Sequence, residues 1–208
     1  MTIFRTILDL ATGRTLPDQE VVPARRWQVI FAAALGAIAL GGLWGLAAGS
    51  SSIALALSNV YKVPMVVLFS MTCAIPAGLL AWKLCATTAP KHESLDILQA
   101  FVVGVFTATL VLAVLSPLLA LYYHSSVWAG PMIGLGSTGT AIIVGMIVFI
   151  RATMNRIAAK NRKKELLFPV GVFVFMLLAT CVQFVALASP ILPEKTVFDR
   201  GIDAMVKQ

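Results

Sequence analysis

The stretch Trp27–Gly49 reads WQVIFAAALGAIALGGLWGLAAG and contains no charged residue. An α-helix of about 20 apolar residues is long enough to cross the hydrocarbon core of a bilayer. Lipid offers no partner to backbone polar groups, so only helices and closed barrels span it. The stretch therefore predicts a retained transmembrane helix, since a secretory signal peptide has an apolar core of only about 7–15 residues.

Four further apolar runs follow along the chain: Val63–Leu84, Ala100–Tyr122, Trp128–Ile150 and Phe168–Ala188. Pro76 interrupts the first of these runs and Pro117 lies late in the second, and a membrane helix tolerates a proline where neighbouring helices satisfy the freed carbonyl group. The sequence thus predicts an all-α protein, a polytopic transmembrane helical bundle of about five spans.

The composition of the 208-residue chain supports this fold class. Hydrophobic residues make up 59% of the chain and charged residues only 12%, against roughly 25% charged residues in soluble domains. No long region remains for a soluble catalytic domain. The net charge of +7 comes from basic residues that flank the apolar runs, which is typical of loops facing cytoplasm and anionic lipid and not of nucleic-acid binding.

The distribution of Lys and Arg predicts the orientation. One set of alternate segments carries 12 of these residues: Arg5, Arg14, Arg25, Arg26, Lys83, Lys91, Arg151, Arg156, Lys160, Arg162, Lys163 and Lys164. The other set carries four: Lys62, Lys195, Arg200 and Lys207. Because cytoplasmic loops are enriched in positive charge, we expect a multi-pass protein of the cell inner (plasma) membrane, with residues 1–26 cytoplasmic, 27–188 spanning, and an extracytoplasmic tail at 189–208.

The six basic residues between Arg151 and Lys164 form a cluster beside the fourth span. Such a cluster attracts anionic lipid headgroups, so Arg151, Arg156, Lys160, Arg162, Lys163 and Lys164 are candidate lipid contacts. The alternative is that they act only as the signal that sets the topology.

Two shorter stretches are expected at the membrane surfaces. Apolar residues recur at helical spacing from Phe4 to Ala11, opposite Arg5 and Asp9, which predicts an N-terminal interfacial amphipathic helix on the inner surface.

The second stretch follows span one. Ser50–Ser52 can cap a short surface helix through Leu57, before Lys62-Val63-Pro64 turns the chain into span two. The alternative is that residues 50–62 extend the first span as one long tilted helix.

Intramembrane ionisable residues usually mark proton relays and ion sites, and the central parts of the five runs contain none. Ion-coupled transport is thereby disfavoured.

The two histidines, His92 and His124, are expected in loops on opposite faces, which excludes a shared haem or metal site. Serine, histidine and acidic residues do not converge near one membrane face. We therefore expect no enzymatic activity and no cofactor.

Glycines at a spacing of four residues predict close helix contacts, because small residues let helix backbones approach each other in lipid. The positions are Gly41, Gly45 and Gly49 on span one and Gly130 and Gly134 on span four. They can pack within this bundle or dock another subunit.

Gln183 on span five is expected to find a partner helix for its amide. In span four, Ser137, Thr138 and Thr140 can bond carbonyl groups of their own helix, which favours a structural role.

The order of these features resembles bacterial Yip1-like membrane proteins. It consists of the N-terminal segment, five spans, the Lys62-Val63-Pro64 entry to span two, Pro76 inside that span, and Leu98-Gln99 and Ser116-Pro117 bounding span three. The resemblance covers about residues 32–150. It implies a five-span domain with a cytosolic N-terminus and no enzymatic activity, and in eukaryotic relatives such proteins organise membrane traffic by binding partners. It carries over no functional residue.

The leading functional hypothesis is a non-enzymatic membrane scaffold or accessory subunit that packs against other membrane proteins or itself as an oligomer. The alternative is a small-molecule or lipid transporter, whose mark would be a water-accessible polar cavity at the depth of the span-four hydroxyls. An intramembrane enzyme ranks third.

Overall fold

The computed structural model describes residues 3–12, 23–85, 91–125, 129–157 and 163–188. These residues form six α-helices and no strand: α1 (Ile3–Ala11), α2 (Pro23–Ala48), α3 (Ile53–Cys85), α4 (Lys91–Ser125), α5 (Ala129–Ile157) and α6 (Lys163–Ala188). Helices α2 to α6 are long and apolar enough to cross a membrane. The predicted all-α polytopic bundle is thereby confirmed, and the chain has the build of a multi-pass membrane protein. The predicted tail at 189–208 lies outside the described residues.

The five long helices stand side by side in the order α5, α4, α2, α3, α6. Helix α4 packs closely on α2 and α5, and α3 packs closely on α2 and α6, whereas α3 touches α4 and α5 touches α6 at few residues. We call the end of the bundle with the α2–α3 turn the hairpin end. At the opposite end, the α1 end, the short helix α1 packs on α2, α4 and α5.

The turn at residues 49–52 is tight because glycine allows it. The Gly49 amide donates to the Gly45 carbonyl at 3.1 Å, which completes α2. A Cβ at Gly49 would lie 2.5 Å from the backbone of Leu55 and Ala56, so a larger residue would push α3 away. The Ser52 hydroxyl then accepts a hydrogen bond from the Leu55 amide at 3.2 Å, as a helix N-cap does.

Helix α3 corrects both expectations for residues 50–62. The chain neither turns at Lys62-Val63-Pro64 nor prolongs the first span, because one helix runs from Ile53 to Cys85 with Pro64 inside it. Pro64 has no amide hydrogen for the Val60 carbonyl. That carbonyl oxygen faces Gly42 of α2, where a Cβ would lie only 3.1 Å away. The absence of a side chain at Gly42 therefore lets the proline-containing turn pack against α2.

Helix α1 has the predicted amphipathic pattern, and its apolar face packs on the bundle. Ile7 is buried in the hydrophobic core, while Arg5 is exposed. Nearby, the Arg26 guanidinium of α2 donates to the Asp96 carboxylate of α4 at 3.0 Å. The α1 end of the bundle is thus covered by a helix and linked by an ion pair.

Buried side chains form two separate cores. The α1-end core contains Ile7, Val29, Phe101, Phe149 and Phe173, among others. The smaller hairpin-end core is built from Trp44, Ala47, Ala48, Leu112, Leu119 and Ala141. The space between these two cores is not filled by side chains, and it forms the candidate site.

Candidate functional site

A cavity of about 280 Å³ lies at the centre of the bundle, between the two cores. This volume is near the lower end of the roughly 300–1,000 Å³ of ligand pockets. Each of the five long helices contributes to the wall, for example through Trp44, Val66, Val105, Ile142 and Leu178. The cavity therefore lies between all five long helices and is not a gap at the contact of one helix pair.

The cavity is long and narrow. Its lining residues run from Asn59 to Ser70 on α3 and from Phe101 to Leu112 on α4, and each of these stretches corresponds to about 16 Å along a helix axis. Along one side the cavity is bounded by α5 and α6, which touch each other at few residues. The long axis of the cavity thus follows the helices.

Three phenylalanines close the cavity toward the α1 end. The ring centroids of Phe101 and Phe173 are 4.7 Å apart, and each lies 5.6 Å from that of Phe149. Phe173 also packs directly on Gly78 of α3, where a Cβ would collide with its ring. Rings at these distances and inclined to one another attract each other beyond their burial. We call Phe101, Phe149 and Phe173 the phenylalanine floor. Its rings join α4, α5 and α6 to one another, and Phe173 joins them to α3.

At the opposite end, the lining includes Trp44, Asn59 and Lys62. The Lys62 ammonium nitrogen is buried, although the sequence placed this residue in a loop at the membrane surface. Its neighbour Val63 faces Gly41 and Gly45, in the last two turns of α2. Lys62 is the tenth residue of the 33-residue helix α3, so it lies toward the hairpin end and outside the central part of the span, where no ionisable residue was expected. Burial of an ammonium group among apolar helices is costly, which makes Lys62 a candidate functional residue.

The other polar side chains near the cavity have partners within the protein. Thr138 donates to the Gly134 carbonyl at 2.9 Å, and Ser137 donates to the same carbonyl at 2.8 Å. These bonds and that of Thr140 to Gly136 confirm the prediction that the span-four hydroxyls bond their own helix. The hydroxyl of Ser70 lies 3.1 Å from the Cys181 sulfur across the α3–α6 contact. The wall is therefore almost entirely apolar apart from its hairpin end.

The predicted glycine positions lie at contacts inside the chain. Gly41 and Gly45 face Val63 and Asn59 of α3. Across the α4–α5 contact, Gly130 lies against Tyr123, and Gly134 faces the hydroxyl of the same tyrosine. Together with Gly49 at the turn, these glycines bring the helices of this bundle close together. Gly36, Gly104 and Gly145, which the four-residue spacing did not single out, make equally close contacts.

The remaining predicted contact residues lie at the surface or beyond what is described. Gln183 is exposed on α6, and Arg151 is exposed on α5. Arg156 lies at the end of α5, and Lys163 and Lys164 at the start of α6. The other two members of the basic cluster, Lys160 and Arg162, lie outside the described residues.

The two histidines lie at opposite ends of α4 and not in loops. Within the described part of the chain, no three His, Cys, Asp or Glu residues are grouped so that they could hold a metal ion. Comparison of the chain with protein-family models, with curated proteins and with solved structures gave no match.

Proposed function

We propose that the protein is a non-enzymatic membrane carrier that binds a small apolar or lipid molecule inside its helical bundle. The observation that supports this most directly is the elongated apolar cavity between the two cores. An empty apolar cavity forfeits van der Waals contacts of its lining, and a hydrocarbon ligand would restore them. The cavity is not the polar one that the sequence suggested for a transporter, so its ligand belongs to the lipid-like molecules.

The helix contacts also suit a carrier. The pair α3–α6 and the pair α4–α5 each pack closely within themselves and touch each other little. A small separation of the two pairs would open the cavity along α5 and α6 without breaking either close contact. A movement of one rigid helix group against another is the usual basis of alternating access in transporters.

Native mass spectrometry of protein extracted in mild detergent tests this proposal. We expect the wild-type protein to retain a lipid or added hydrocarbon ligand. The variant Ile142→Phe adds volume to the cavity wall and should lower the retained fraction several-fold. The variant Ile143→Phe is the matched control, because this neighbouring isoleucine is 54% exposed and faces outward. Equal retention by both variants, or no ligand in the wild type, contradicts the carrier proposal.

A second proposal is that the protein also assembles with other membrane proteins or with itself. Its support is a face of α5 where Gly136, Gly139 and Thr140 are exposed and where a Cβ on either glycine would meet no described atom within 4 Å. Small residues on an open helix face suit close helix association. Native mass measurement should show a dimer or a larger assembly, and a monomer without co-purifying protein contradicts this proposal.

We further propose an inner (plasma) membrane location with a cytoplasmic N-terminus, supported by the 12-to-4 distribution of Lys and Arg. In a chain whose native cysteines are replaced, a cysteine at Gln208 should react with an impermeant thiol reagent in intact cells. One at Asn161 should react only after permeabilisation, and the reverse result overturns the orientation. Contact of the basic cluster with anionic lipid and membership of the Yip1-like family stay predictions.

A further inference from the structure

We infer that the cavity opens sideways into the bilayer between α5 and α6, and that its ligand is an uncharged apolar molecule that enters from the hydrocarbon core through this opening. The inference rests on the proposed carrier function and specifies the route and the chemical class of the ligand. We call the gap between these two helices, bordered by Ile142, Met146, Val174 and Leu178, the lateral portal.

The wall of the cavity is covered unequally. On α4, the lining residues Val105, Thr109 and Leu112 are buried, because α2 and α5 pack closely on this helix. By contrast, the four residues of the lateral portal are all partly exposed, and α5 touches α6 at few residues. Since the cavity is partly open to the surroundings of the bundle, we place its opening on the α5–α6 side.

The lateral portal lies at the depth of the hydrocarbon core. Ile143 is the fifteenth of the 29 residues of α5, and Phe175 is the thirteenth of the 26 residues of α6, so both stand at the middle of their helices. Both are exposed on the outer surface, and each residue of the portal lies within three positions of one of them. A head group at the bilayer surface is about 15 Å away, half the thickness of the core. The portal therefore faces hydrocarbon.

Among the described side chains, none offers a charged partner to a ligand in the cavity. The Thr109 hydroxyl donates to carbonyl groups of its own helix, and the Ser70 hydroxyl is paired with the Cys181 sulfur. The ammonium nitrogen of Lys62 is buried and interacts within the protein, and Asn59 adds only a neutral amide. A charged group inside the cavity would lose its hydration without replacement, which is costly. The ligand that fits this wall is therefore uncharged.

Photolabelling in nanodiscs tests the route. The probe is hexadecane that carries a diazirine, which is practically insoluble in water and therefore reaches the protein from the bilayer. We expect labels on Val105 or Thr109, because these residues are buried and line the cavity. Labels confined to outward-facing residues such as Ile143 and Phe175 would overturn the inference.

Two pairs of variants locate the opening. Met146→Trp places a large ring in the lateral portal, whereas Ile147→Trp places the same ring on the outer face of α5. Labelling of Val105 should fall several-fold in the first variant and stay unchanged in the second. Leu178→Trp and its control Val182→Trp repeat the comparison on α6. Thermal unfolding in detergent reports whether each bundle is intact, and equal labelling of Val105 within both pairs would show that the probe enters elsewhere.

A charged probe tests the class of the ligand. Hexadecyl sulfate with the diazirine beside its sulfate group can label Val105 only if the sulfate itself enters the cavity. At equal concentration in the membrane, we expect this labelling to be more than about tenfold below that by the hexadecane probe. A factor of ten corresponds to about 1.4 kcal/mol, and burial of an unpaired charge costs more than this. Equal labelling by the two probes overturns the assignment to uncharged ligands.

Native mass spectrometry of the wild type separates failure of this inference from failure of the carrier function. If the wild type retains a ligand in detergent while Val105 and Thr109 stay unlabelled, the lateral portal is wrong and the carrier proposal stands. If the wild type neither retains a ligand nor is labelled inside the cavity, the carrier proposal itself fails.

Discussion

The two ends of the bundle are built in different ways. The α1-end core is dense, since large aromatic side chains from α4, α5 and α6 fill it and α1 covers it. The hairpin end uses small residues, so that the backbones of α2 and α3 touch at Gly45 and Gly49. Beside this close contact lies the cavity with Lys62 in its wall. If the proposed carrier function holds, the dense α1 end supports the bundle while the more open region beside the hairpin end receives the ligand.

This division has a physical reason. In lipid, helices associate through van der Waals packing and not through release of water. Large interlocked rings provide many such contacts, and a cavity removes them from the residues that line it. A bundle can therefore keep a cavity between its two cores only if the packing elsewhere compensates for the lost contacts. The phenylalanine floor lies between the densely packed α1-end core and the cavity.

The largest effect is expected from emptying the α1-end core. Phe173→Ala should lower the free energy of unfolding by about 3 kcal/mol or more, as removal of fully buried phenylalanines does. Phe173 has 0% exposure and contacts both other rings of the floor. Denaturation in mixed detergent micelles measures the change. The variant should also merge the cavity with the space left by the ring.

The control for this prediction lies two residues along the same helix. Phe175 is 69% exposed and faces outward, so Phe175→Ala should change the stability in micelles by less than about 0.5 kcal/mol, as is usual for surface substitutions. Similar losses of unfolding free energy for the two variants would mean that the phenylalanine floor stabilises the bundle no more than an outward-facing phenylalanine does.

A smaller effect is expected from separating the backbones at the hairpin end. In Gly45→Ala the new Cβ would collide with the Asn59 carbonyl oxygen and lie 3.1 Å from a Val63 methyl group. Because backbone cannot rotate away, α2 and α3 must move apart, which should cost about 2 kcal/mol. Thermal unfolding in detergent measures the loss. Cysteine cross-linking between α2 and α3 should also weaken.

Gly139→Ala is the matched control on α5. A Cβ there meets no described atom within 4 Å, so the substitution should stabilise the helix by about 0.5 kcal/mol through the better helix propensity of alanine. If Gly139→Ala were as damaging as Gly45→Ala, this open face of α5 would have to be covered in the purified protein, which would favour the proposed assembly.

The spans could be predicted from the sequence, because long runs without charge have few alternatives in a hydrophobic chain. The candidate site could not be predicted from the sequence, and Pro64 explains why. A proline after Lys62 is a common mark of a helix boundary, and this interpretation moved the lysine to the membrane surface. The helix continues through Pro64, and Gly42, on another span, makes room for the turn that contains this proline. Sequence spacing within one helix does not reveal such a contact.

The phenylalanine floor escaped prediction for a similar reason. Phe101, Phe149 and Phe173 belong to three different apolar runs in which phenylalanine is expected on the lipid side as often as inside. Their convergence depends on the order of helices around the bundle. By contrast, the hydroxyl groups of Ser137, Thr138 and Thr140 could be assigned correctly, because their partners lie one turn back on the same helix.

The smallest expected effect concerns the ion pair at the α1 end. Arg26 and Asp96 are partly exposed, at 26% and 18% of their side-chain surface, with the guanidinium 3.0 Å from the carboxylate. A pair in contact with water contributes only about 0.2–1 kcal/mol, because solvent screens the attraction and two long side chains lose freedom. A double-mutant cycle with Arg26→Gln and Asp96→Asn should give a coupling energy in this range. Since salt screens exposed charges, we expect the coupling to fall toward zero in about 1 M salt. A coupling above about 2 kcal/mol that persists in salt would show that the pair is shielded from water, and the α1 end would then be held by charge as well as by its aromatic core.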